Sequence, residues 1–478
     1  MAAVSRVSRL GGAVGVLVAA HLLIKVVVYA QVAHAPLIGD EAAYVDGARA
    51  LSNLLRDLGS FTTPDVAELE RNVVASGWFM PGMSLVLTPL FVLVPDAPVW
   101  AIRGFLGVVG TALFLAVLRR VDRVWGRRAT LVLMVFPGLV PTWSVFTFGA
   151  WGDQTAGVLL LLFLTLVHPV LLGAVAGRAP SIRQGLAIGA VAIACVYARS
   201  SVAVLVGLLG VLLAVAVVVL LRDAARRRAV VAAGVASAVF GGLLLPWSLS
   251  ASAVLGDRVI TTTSVSTVMA NTFGDRDRVC FGPCDPGSTL WFSPLRYSRE
   301  VARATGLSEV EVQQQMSAYA RAEVTPRSYA RDVTENAGRY ALSPARFATY
   351  LRAPGTSDVV HAGIVVGTGV LFFPFLLAAL VSLLVPRRRT TSAHLLAVCA
   401  KLSALALLSQ PFVHIAGPRY WTTAAPVFAL LALLLLRPSP MSDGPVGGGR
   451  LPGVLRGAEI AVAVFGTLVV GTLLVLAR

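Results

Sequence analysis

The sequence predicts an all-α membrane protein that crosses the bilayer many times. Of its 478 residues, 56% are apolar and only 13% are charged, and the mean hydropathy is +0.79. A soluble domain has about 25% charged residues, so this chain has too few charges to cover a water-exposed surface. The composition therefore excludes a soluble single domain, a disordered protein and a scaffold held together by disulfides.

Eleven apolar stretches predict transmembrane helices, which need about 20 apolar residues, with a range of about 17 to 25. Two neighbouring stretches are separated only at Arg199. Arg183 and Arg222 bracket this pair, so we predict two crossings joined by a tight hairpin at Arg199. The predicted spans are residues 10–33, 97–118, 129–148, 154–177, 184–198, 201–221, 229–249, 361–385, 391–411, 420–436 and 457–477.

The arginines predict the side of the membrane that each loop occupies. The net charge is +16, and 38 of the 40 basic residues are arginine. If the N-terminus is cytoplasmic, alternate loops hold 19 arginines, as the positive-inside rule requires. Basic cytoplasmic loops explain the net charge better than nucleic-acid binding does. Residues 82–94 are apolar but too short for a span, and a crossing there would reverse this pattern. We therefore predict an interfacial or re-entrant helix on the outer face.

The chain divides into three predicted regions. Residues 1–250 form an N-terminal transmembrane catalytic module with an outer loop at 34–96, residues 251–360 form a small, mostly helical extracytoplasmic subdomain, and residues 361–478 form the C-terminal transmembrane helices. The arginine-rich, lysine-poor composition is typical of a bacterium with a GC-rich genome. The predicted location is then the plasma membrane, with the outer loops on the extracytoplasmic side.

The outer subdomain carries its own helix and disulfide signals. Ser308-Glu309-Val310-Glu311 has the pattern of a capping box, and a second helix is predicted to begin at Pro326. Cys280 and Cys284 bracket a Phe-Gly-Pro turn, and on an oxidising face a short-loop disulfide between them is expected.

Acidic residues are scarce, so their positions are informative. Asp40 and Glu41 follow the first predicted span, and Asp153 lies at the outer end of the third. Each aspartate is a suitable N-cap for the helix that follows it. The alternative, compatible with capping, is a carboxylate site at the outer membrane surface. The residues predicted at the same rim are Trp151, Arg199, Pro246, Trp247, His414, Arg419 and Tyr420. A chemical site at this surface accounts for all of them together.

Short motifs follow one another along the chain: Gly39-Asp40-Glu41-Ala42-Ala43-Tyr44, Trp78-Phe79-Met80-Pro81-Gly82, Arg119 to Arg128, Asp153, Tyr197-Ala198-Arg199, Leu245-Pro246-Trp247-Ser248-Leu249, Gly256, Asn271 and Pro418-Arg419-Tyr420. In their order and spacing they resemble the GT-C glycosyltransferases. That family uses polyprenyl-phosphate sugars and includes protein O-mannosyltransferases and lipid A aminoarabinose transferases. The resemblance covers about residues 1–435. This chain has Ser250-Ala251-Ser252 where the family often has Arg-Asn, and Phe79-Met80-Pro81 where it often has His-Pro-Pro.

The resemblance implies that a sugar moves from a polyprenyl phosphate to an acceptor hydroxyl on the outer face, with inversion. A hydroxyl is a poor nucleophile until a positioned base takes its proton. Asp40 is the expected base, with Glu41 or Asp153 orienting the acceptor. Arg199 and Arg419 are expected to stabilise the departing phosphate.

The resemblance leaves the sugar, the acceptor and the metal open. The sugar could be mannose, arabinofuranose or another, and the acceptor a protein, lipid or polysaccharide. Trp78, Trp151 and Tyr420 are expected to pack against a sugar face, and His414 is expected to bind the substrate. The carboxylates of Asp40, Glu41 and Asp153 could hold a divalent metal ion, which some GT-C enzymes use and others do not.

Only two lysines are present, and both lie inside predicted spans. Lys25 is close enough to the outer end to snorkel, with His21 one turn away on the same face. Lys401 is in the middle of its span. A lysine there is expected either in a buried pair or water-filled cavity, or in a groove that holds the donor phosphate or its lipid chain.

Two other function classes remain as alternatives. A transporter or flippase of a lipid-linked sugar predicts internal repeats and interrupted helices near the midplane, whereas no repeat is evident and the polar residues lie at one rim. A non-catalytic subunit of an envelope assembly would use residues 251–360 for docking. It predicts that Asp40 and Asp153 can be neutralised without consequence.

Overall fold

The computed structural model confirms the all-α prediction. It describes residues 2–75, 77–273, 293–387, 389–413, 417–437 and 451–476, and every regular element within them is helical. The first ten helices are α1 (Ala2–Val32), α2 (Asp40–Gly59), α3 (Val66–Leu69), α4 (Gly82–Leu93), α5 (Val99–Trp125), α6 (Arg127–Leu133), α7 (Pro141–Thr147), α8 (Asp153–Val175), α9 (Ile182–Ala198) and α10 (Ala203–Leu220). The others are α11 (Asp223–Leu255), α12 (Ser264–Phe273), α13 (Ser293–Thr305), α14 (Glu309–Ala320), α15 (Pro326–Leu342), α16 (Arg346–Tyr350), α17 (Asp358–Leu384), α18 (Thr391–Leu408), α19 (Trp421–Leu436) and α20 (Leu451–Leu476).

Each predicted span falls on helical backbone. Within the described ranges, eight helices are long and apolar enough to cross a membrane, and a ninth arises if α6 and α7, bent by 82°, count as one span. Pro137 and Pro141 lie at this bend, where proline removes a helical N–H group. The two remaining predicted spans correspond to α9, with 17 residues, and α19, with 16. The 12-residue α4 is too short to span, as the sequence predicts.

Glycines allow two pairs of helices to approach closely. A Cβ atom on Gly185 or Gly189 of α9 would lie 2.3 or 2.4 Å from a carbonyl oxygen of Ala232 or Ala236 on α11. A Cβ on Gly157 of α8 would lie 2.8 Å from a carbonyl oxygen of α19. Small residues at such contacts are the usual means by which membrane helices pack, so these glycines fix α9 on α11 and α8 on α19.

The helix α19 lies at the centre of the bundle. Its residues from Trp421 to Leu434 are all buried, among side chains of α8, α17 and α18 in one large apolar cluster. The Trp143 indole donates to the Thr422 carbonyl at the start of this helix (3.2 Å). Because the first turn of α19 is fixed in this way, Arg419 and Tyr420, which precede it directly, are held at one end of the buried core.

The outer subdomain begins its helices where the sequence predicts. The Ser308 side chain caps α14 by accepting from the Glu311 N–H at 3.1 Å, and α15 begins at Pro326 with Thr325 as its N-cap. The division of the chain at residues 250 and 360 stays a prediction. Cys280, Cys284 and His414, predicted as a disulfide pair and a substrate-binding residue, lie outside the described residues.

Candidate active site

Four charged side chains from distant parts of the chain meet at one end of the helix bundle. Arg419 donates to Asp40 Oδ2 over 2.6 Å, and its Nε lies 3.9 Å from Asp153 Oδ2. Arg199 donates to Oδ1 of Asp153. We name these four residues the Asp40–Asp153 cluster. All four are site residues predicted from the sequence, and the structure brings them together.

Both aspartates lie in the first turn of a helix rather than capping it. The N-cap of α2 is Gly39 and that of α8 is Gly152, neither with a side-chain cap, so the prediction that Asp40 and Asp153 are N-caps is wrong. The partial positive charge at a helix N-terminus favours a carboxylate in its first turn. With their side chains not used as caps, both carboxylates are available to the arginines.

Two glycines determine where Arg199 lies. The backbone is extended at Arg199, between the end of α9 and a short 3-10 turn at Ser200–Val202. A Cβ on Gly82 would lie 2.2 Å from the Tyr197 carbonyl oxygen, and a Cβ on Gly152 would lie 2.1 Å from that of Ala198. The starts of α4 and α8 can therefore touch the chain just before Arg199 only because both residues are glycine. The break in the helix directs Arg199 towards Asp153.

The Tyr420 ring contacts both guanidinium groups. The Arg199 guanidinium carbon is 4.2 Å from the centre of the Tyr420 ring, and that of Arg419 is 5.2 Å from it. Cations over an aromatic face are attracted by its quadrupole, so the ring reduces the cost of holding two like charges close together. Tyr420 therefore packs against the arginines of the cluster and is 4% exposed, and its contact with a sugar stays a prediction.

Burial lowers the pKa of Arg199 to about 10, whereas Arg419 and the neighbouring Tyr44 have raised pKa values. Burial and the nearby Asp40 carboxylate raise the pKa of Tyr44 above its usual value, so its hydroxyl stays neutral. Burial lowers the pKa of Arg419, but the attraction of Asp40 and Tyr420 more than offsets this, and the pKa lies above its ordinary value. Arg419 is thus a permanent cation beside two carboxylates.

Glu41, predicted as a catalytic or orienting residue, faces away from the cluster. Its side chain is fully buried and forms an ion pair with the buried Arg103 at 3.0 Å. It also accepts from the backbone N–H groups of Ile38 (3.1 Å) and Ala150 (3.2 Å). Arg103 in turn donates to the Pro36 carbonyl at 2.9 Å. Glu41 therefore fastens the start of α2 to α5 and to the loop before α8, which is a positioning role.

The three carboxylates proposed as metal ligands do not assemble. Both oxygens of Glu41 are occupied, which leaves Asp40 and Asp153, each paired with an arginine. In the described part of the chain, no group of three or more His, Cys, Asp or Glu side chains is placed to hold a metal ion. The predicted three-residue site therefore does not fit this arrangement.

The two tryptophans predicted to pack against a sugar are both buried. Trp78 is 9% exposed and lies edge-on to Phe79. Trp151 is 4% exposed and packs edge-on against Phe146 and Phe347. Phe347 lies 5.9 Å from the Arg419 guanidinium carbon. Trp151 thus packs against Phe347, which in turn lies next to Arg419 of the cluster.

Lys401 does not join the Asp40–Asp153 cluster. Its Nζ lies 2.9 Å from Glu459 Oε2 on α20, and Glu459 also contacts His394 (2.6 Å) and Arg389 (3.5 Å). We name these four residues the Glu459 cluster. Of the two alternatives for Lys401, the structure shows the buried pair.

Lys25 does not snorkel to the surface. It is 5% exposed, donates to the Thr147 hydroxyl, and lies 5.6 Å from the ring centres of Trp143 and Phe148. The two aromatic faces and the hydroxyl replace the water that a lysine at the outer end would reach. The snorkelling prediction is therefore wrong, because α7 covers this part of α1.

Several residues in or near the two clusters were not predicted from the sequence. Arg103 and Glu459 are charged residues inside predicted spans, which by itself signals a buried partner. Ser201 accepts from Arg199 Nε (2.8 Å) and from Gln410 Nε2 (3.2 Å). No pattern in the sequence distinguishes Ser201 from Ser200, or Gln410 from other polar residues.

Comparison with known proteins gives little beyond the geometry. No family model and no curated protein matches this sequence. A similar solved structure is that of ArnT from Cupriavidus metallidurans bound to undecaprenyl phosphate, at 14% identity and a TM-score of 0.37. The match covers 88% of this chain and 78% of that chain. This likeness is too weak to carry a conclusion. The fold is established by the helices themselves.

Proposed function

We propose that this protein is a membrane glycosyltransferase of the GT-C type. It moves a sugar from a polyprenyl-phosphate donor to an acceptor hydroxyl, and the Asp40–Asp153 cluster is its active site. The observation that carries the proposal is the convergence of two arginines and two carboxylates at the ends of apolar helices. Such a site can hold the phosphate of a lipid while the lipid chain stays among apolar helices.

The two arginines suit a phosphate that gains charge during the reaction. When the bond between the sugar carbon and the phosphate oxygen breaks, its electron pair leaves with the phosphate. Cations that are already in position stabilise that charge without reorganisation. Arg199 and Arg419 both lie against the Tyr420 ring, and the planar guanidinium group matches phosphate oxygens.

Asp40 suits the role of base better than Asp153. The side chain of Asp40 is 25% exposed and that of Asp153 is fully buried, so an acceptor hydroxyl can reach only the former. The hydroxyl oxygen attacks the sugar carbon on the face opposite the phosphate, and its proton passes to the Asp40 carboxylate. Inversion at the sugar carbon follows from that single displacement.

Asp153 acts as a positioning residue in this proposal. It holds Arg199 through one carboxylate oxygen and faces Arg419 through the other. The Thr423 hydroxyl donates to its backbone carbonyl at 2.9 Å, which fixes α8 to α19. The arginine distribution in the sequence favours placing this end of the bundle on the extracytoplasmic side.

The test is sugar release from a panel of polyprenyl-phosphate sugars by purified protein in liposomes. We expect one donor to be consumed, and Asp40→Asn to lower turnover by about 10²- to 10⁴-fold, the usual contribution of general base catalysis. Asp46→Asn is the matched control. It lies on the same helix, in an exposed ion pair with Arg49 at 3.6 Å.

Each outcome separates the function classes. Equal turnover by the wild type and Asp40→Asn would remove Asp40 as the base. Movement of the intact lipid-linked sugar across the bilayer, without release, would favour a transporter. Addition of a chelator tests the metal question, and full activity in its presence would mean that no exchangeable metal ion is required.

A further inference from the structure

We propose that the Ser201 hydroxyl donates a hydrogen bond directly to the donor phosphate, so that Ser201 and Arg199 form one phosphate-oxygen site. The inference rests on the proposed function and adds a binding residue to it. Ser201 lies two residues after Arg199, in the short turn that joins α9 to α10.

The inference rests on the hydrogen bonds that Ser201 makes. Its Oγ accepts from Arg199 Nε at 2.8 Å and from Gln410 Nε2 at 3.2 Å. A serine hydroxyl has two acceptor lone pairs and one proton to donate. With both lone pairs occupied, only the proton remains, and no acceptor for it lies among the described residues.

The surroundings of Ser201 indicate where that proton goes. Ser201 is exposed, whereas Asp153, on the other side of Arg199, is fully buried. A ligand that reaches the Arg199 guanidinium therefore approaches from the side of Ser201. Because the Ser201 hydroxyl and the Arg199 guanidinium lie within hydrogen-bond distance of each other, both can donate to the oxygens of one phosphate, and such charge-assisted bonds are stronger than neutral ones.

Gln410 makes this arrangement rigid. It is 7% exposed and lies in the 3-10 turn Gln410–Phe412 that follows α18. Its bond to Ser201 connects α18 to the turn before α10, two parts of the chain that are 209 residues apart. Gln410 is a positioning residue, since it reaches the phosphate only through Ser201.

The test measures binding of polyprenyl phosphate and of the matching polyprenol to purified protein in lipid nanodiscs. We expect Ser201→Ala to weaken binding of the phosphate about tenfold, with binding of the polyprenol unchanged. The matched control is Ser200→Ala, which should alter neither. Because Ser201 is exposed, the substitution is not expected to impair folding.

A second comparison separates direct donation from support of Arg199. If Ser201 acted only by holding Arg199, Ser201→Ala would have no further effect in protein that carries Arg199→Gln. We expect a further loss of at least threefold in that background. No further loss, or phosphate binding by Ser201→Ala equal to the wild type, would overturn the inference.

Gln410 supplies an independent check. If its amide oxygen rather than its nitrogen faced Ser201, that oxygen would accept the hydroxyl proton, and Gln410→Leu would tighten phosphate binding. Tighter binding would overturn the inference, whereas unchanged or weaker binding supports it. A wild-type protein with no preference for the phosphate over the polyprenol would overturn the proposed function, and the inference with it.

Discussion

The Asp40–Asp153 cluster and the Glu459 cluster use the same kinds of side chain in different surroundings. In the first, the side chains of Asp40, Arg199 and Arg419 are 25, 12 and 17% exposed. In the second, the side chains of Glu459 and Lys401 are both fully buried. Only the first can exchange its internal partners for those of a ligand.

The comparison shows that ion pairing alone does not identify a functional site in a membrane protein. The Glu459 cluster joins α18 to α20 and satisfies a carboxylate that would otherwise be unpaired inside the bundle. Removing one partner of a buried pair costs about 3–5 kcal/mol, because the other charge stays buried. Accessibility of the charges, rather than their number, is the reason that we propose catalysis at the Asp40–Asp153 cluster.

After neutralisation of Asp40, the largest effect on activity is expected from replacement of Arg419, which faces both carboxylates. We expect Arg419→Gln to lower sugar release about 10²- to 10³-fold, as for removal of one stabilising donor, while the protein still purifies as a folded species. The measurement is turnover per folded molecule. Arg437→Gln, at the opposite end of α19 and exposed, is the control and should keep full activity. Equal losses in both variants would contradict the assignment.

A smaller effect is expected from Gly152→Ala, which moves the cluster without changing its chemistry. The added Cβ would lie 2.1 Å from the Ala198 carbonyl oxygen, so the chain before Arg199 must shift. A displacement of about 1 Å at a reacting centre can cost about 10²-fold in rate, and we expect a loss between tenfold and that value.

Gly177→Ala is the matched control for this change. Gly152 has φ +69° and Gly177 has φ +72°, so alanine is strained at both positions, but nothing lies within 4 Å of a Cβ at Gly177. The difference in activity between the two variants therefore measures the close approach alone. A loss in Gly177→Ala as large as that in Gly152→Ala would mean that backbone strain, not the position of Arg199, explains the effect.

The sequence predicted the rim of the bundle well and the directions of individual side chains poorly. Span ends can be located from apolar length and arginine distribution, which places Asp40, Asp153, Arg199 and Arg419 on one face. Asp40 and Glu41 are adjacent, however, and successive residues on a helix point about 100° apart. Only the tertiary structure, which places Arg103 of α5 beside Glu41, decides which of the two carboxylates faces Arg419.

The sequence also could not predict which residues of different helices contact one another. Lys401 was predicted with either a structural or a substrate-binding role, because its partner Glu459 lies on a different helix, 58 residues later. Ser201 and Gln410 belong to helix-joining turns whose approach depends on how α18 and α10 pack. A periodicity argument finds the buried face of one helix, but not which residue of another helix meets it.

The smallest effect on catalysis is expected from Lys401→Met. This variant also tests most directly whether the Glu459 cluster is structural and the Asp40–Asp153 cluster functional. This change leaves Glu459 without its 2.9 Å partner, although Arg389 and His394 still face that carboxylate. We expect a lower thermal unfolding temperature in detergent, with turnover per folded molecule and the KM for the donor both within twofold of the wild type. Lys401→Met with Glu459→Gln should lower the unfolding temperature further, because the buried Arg389 then loses its carboxylate partner as well. If Lys401→Met instead kept its stability and lost use of the donor, the Glu459 cluster would be part of the donor-binding site. Exposure of the charged side chains would then not distinguish the functional cluster from the structural one.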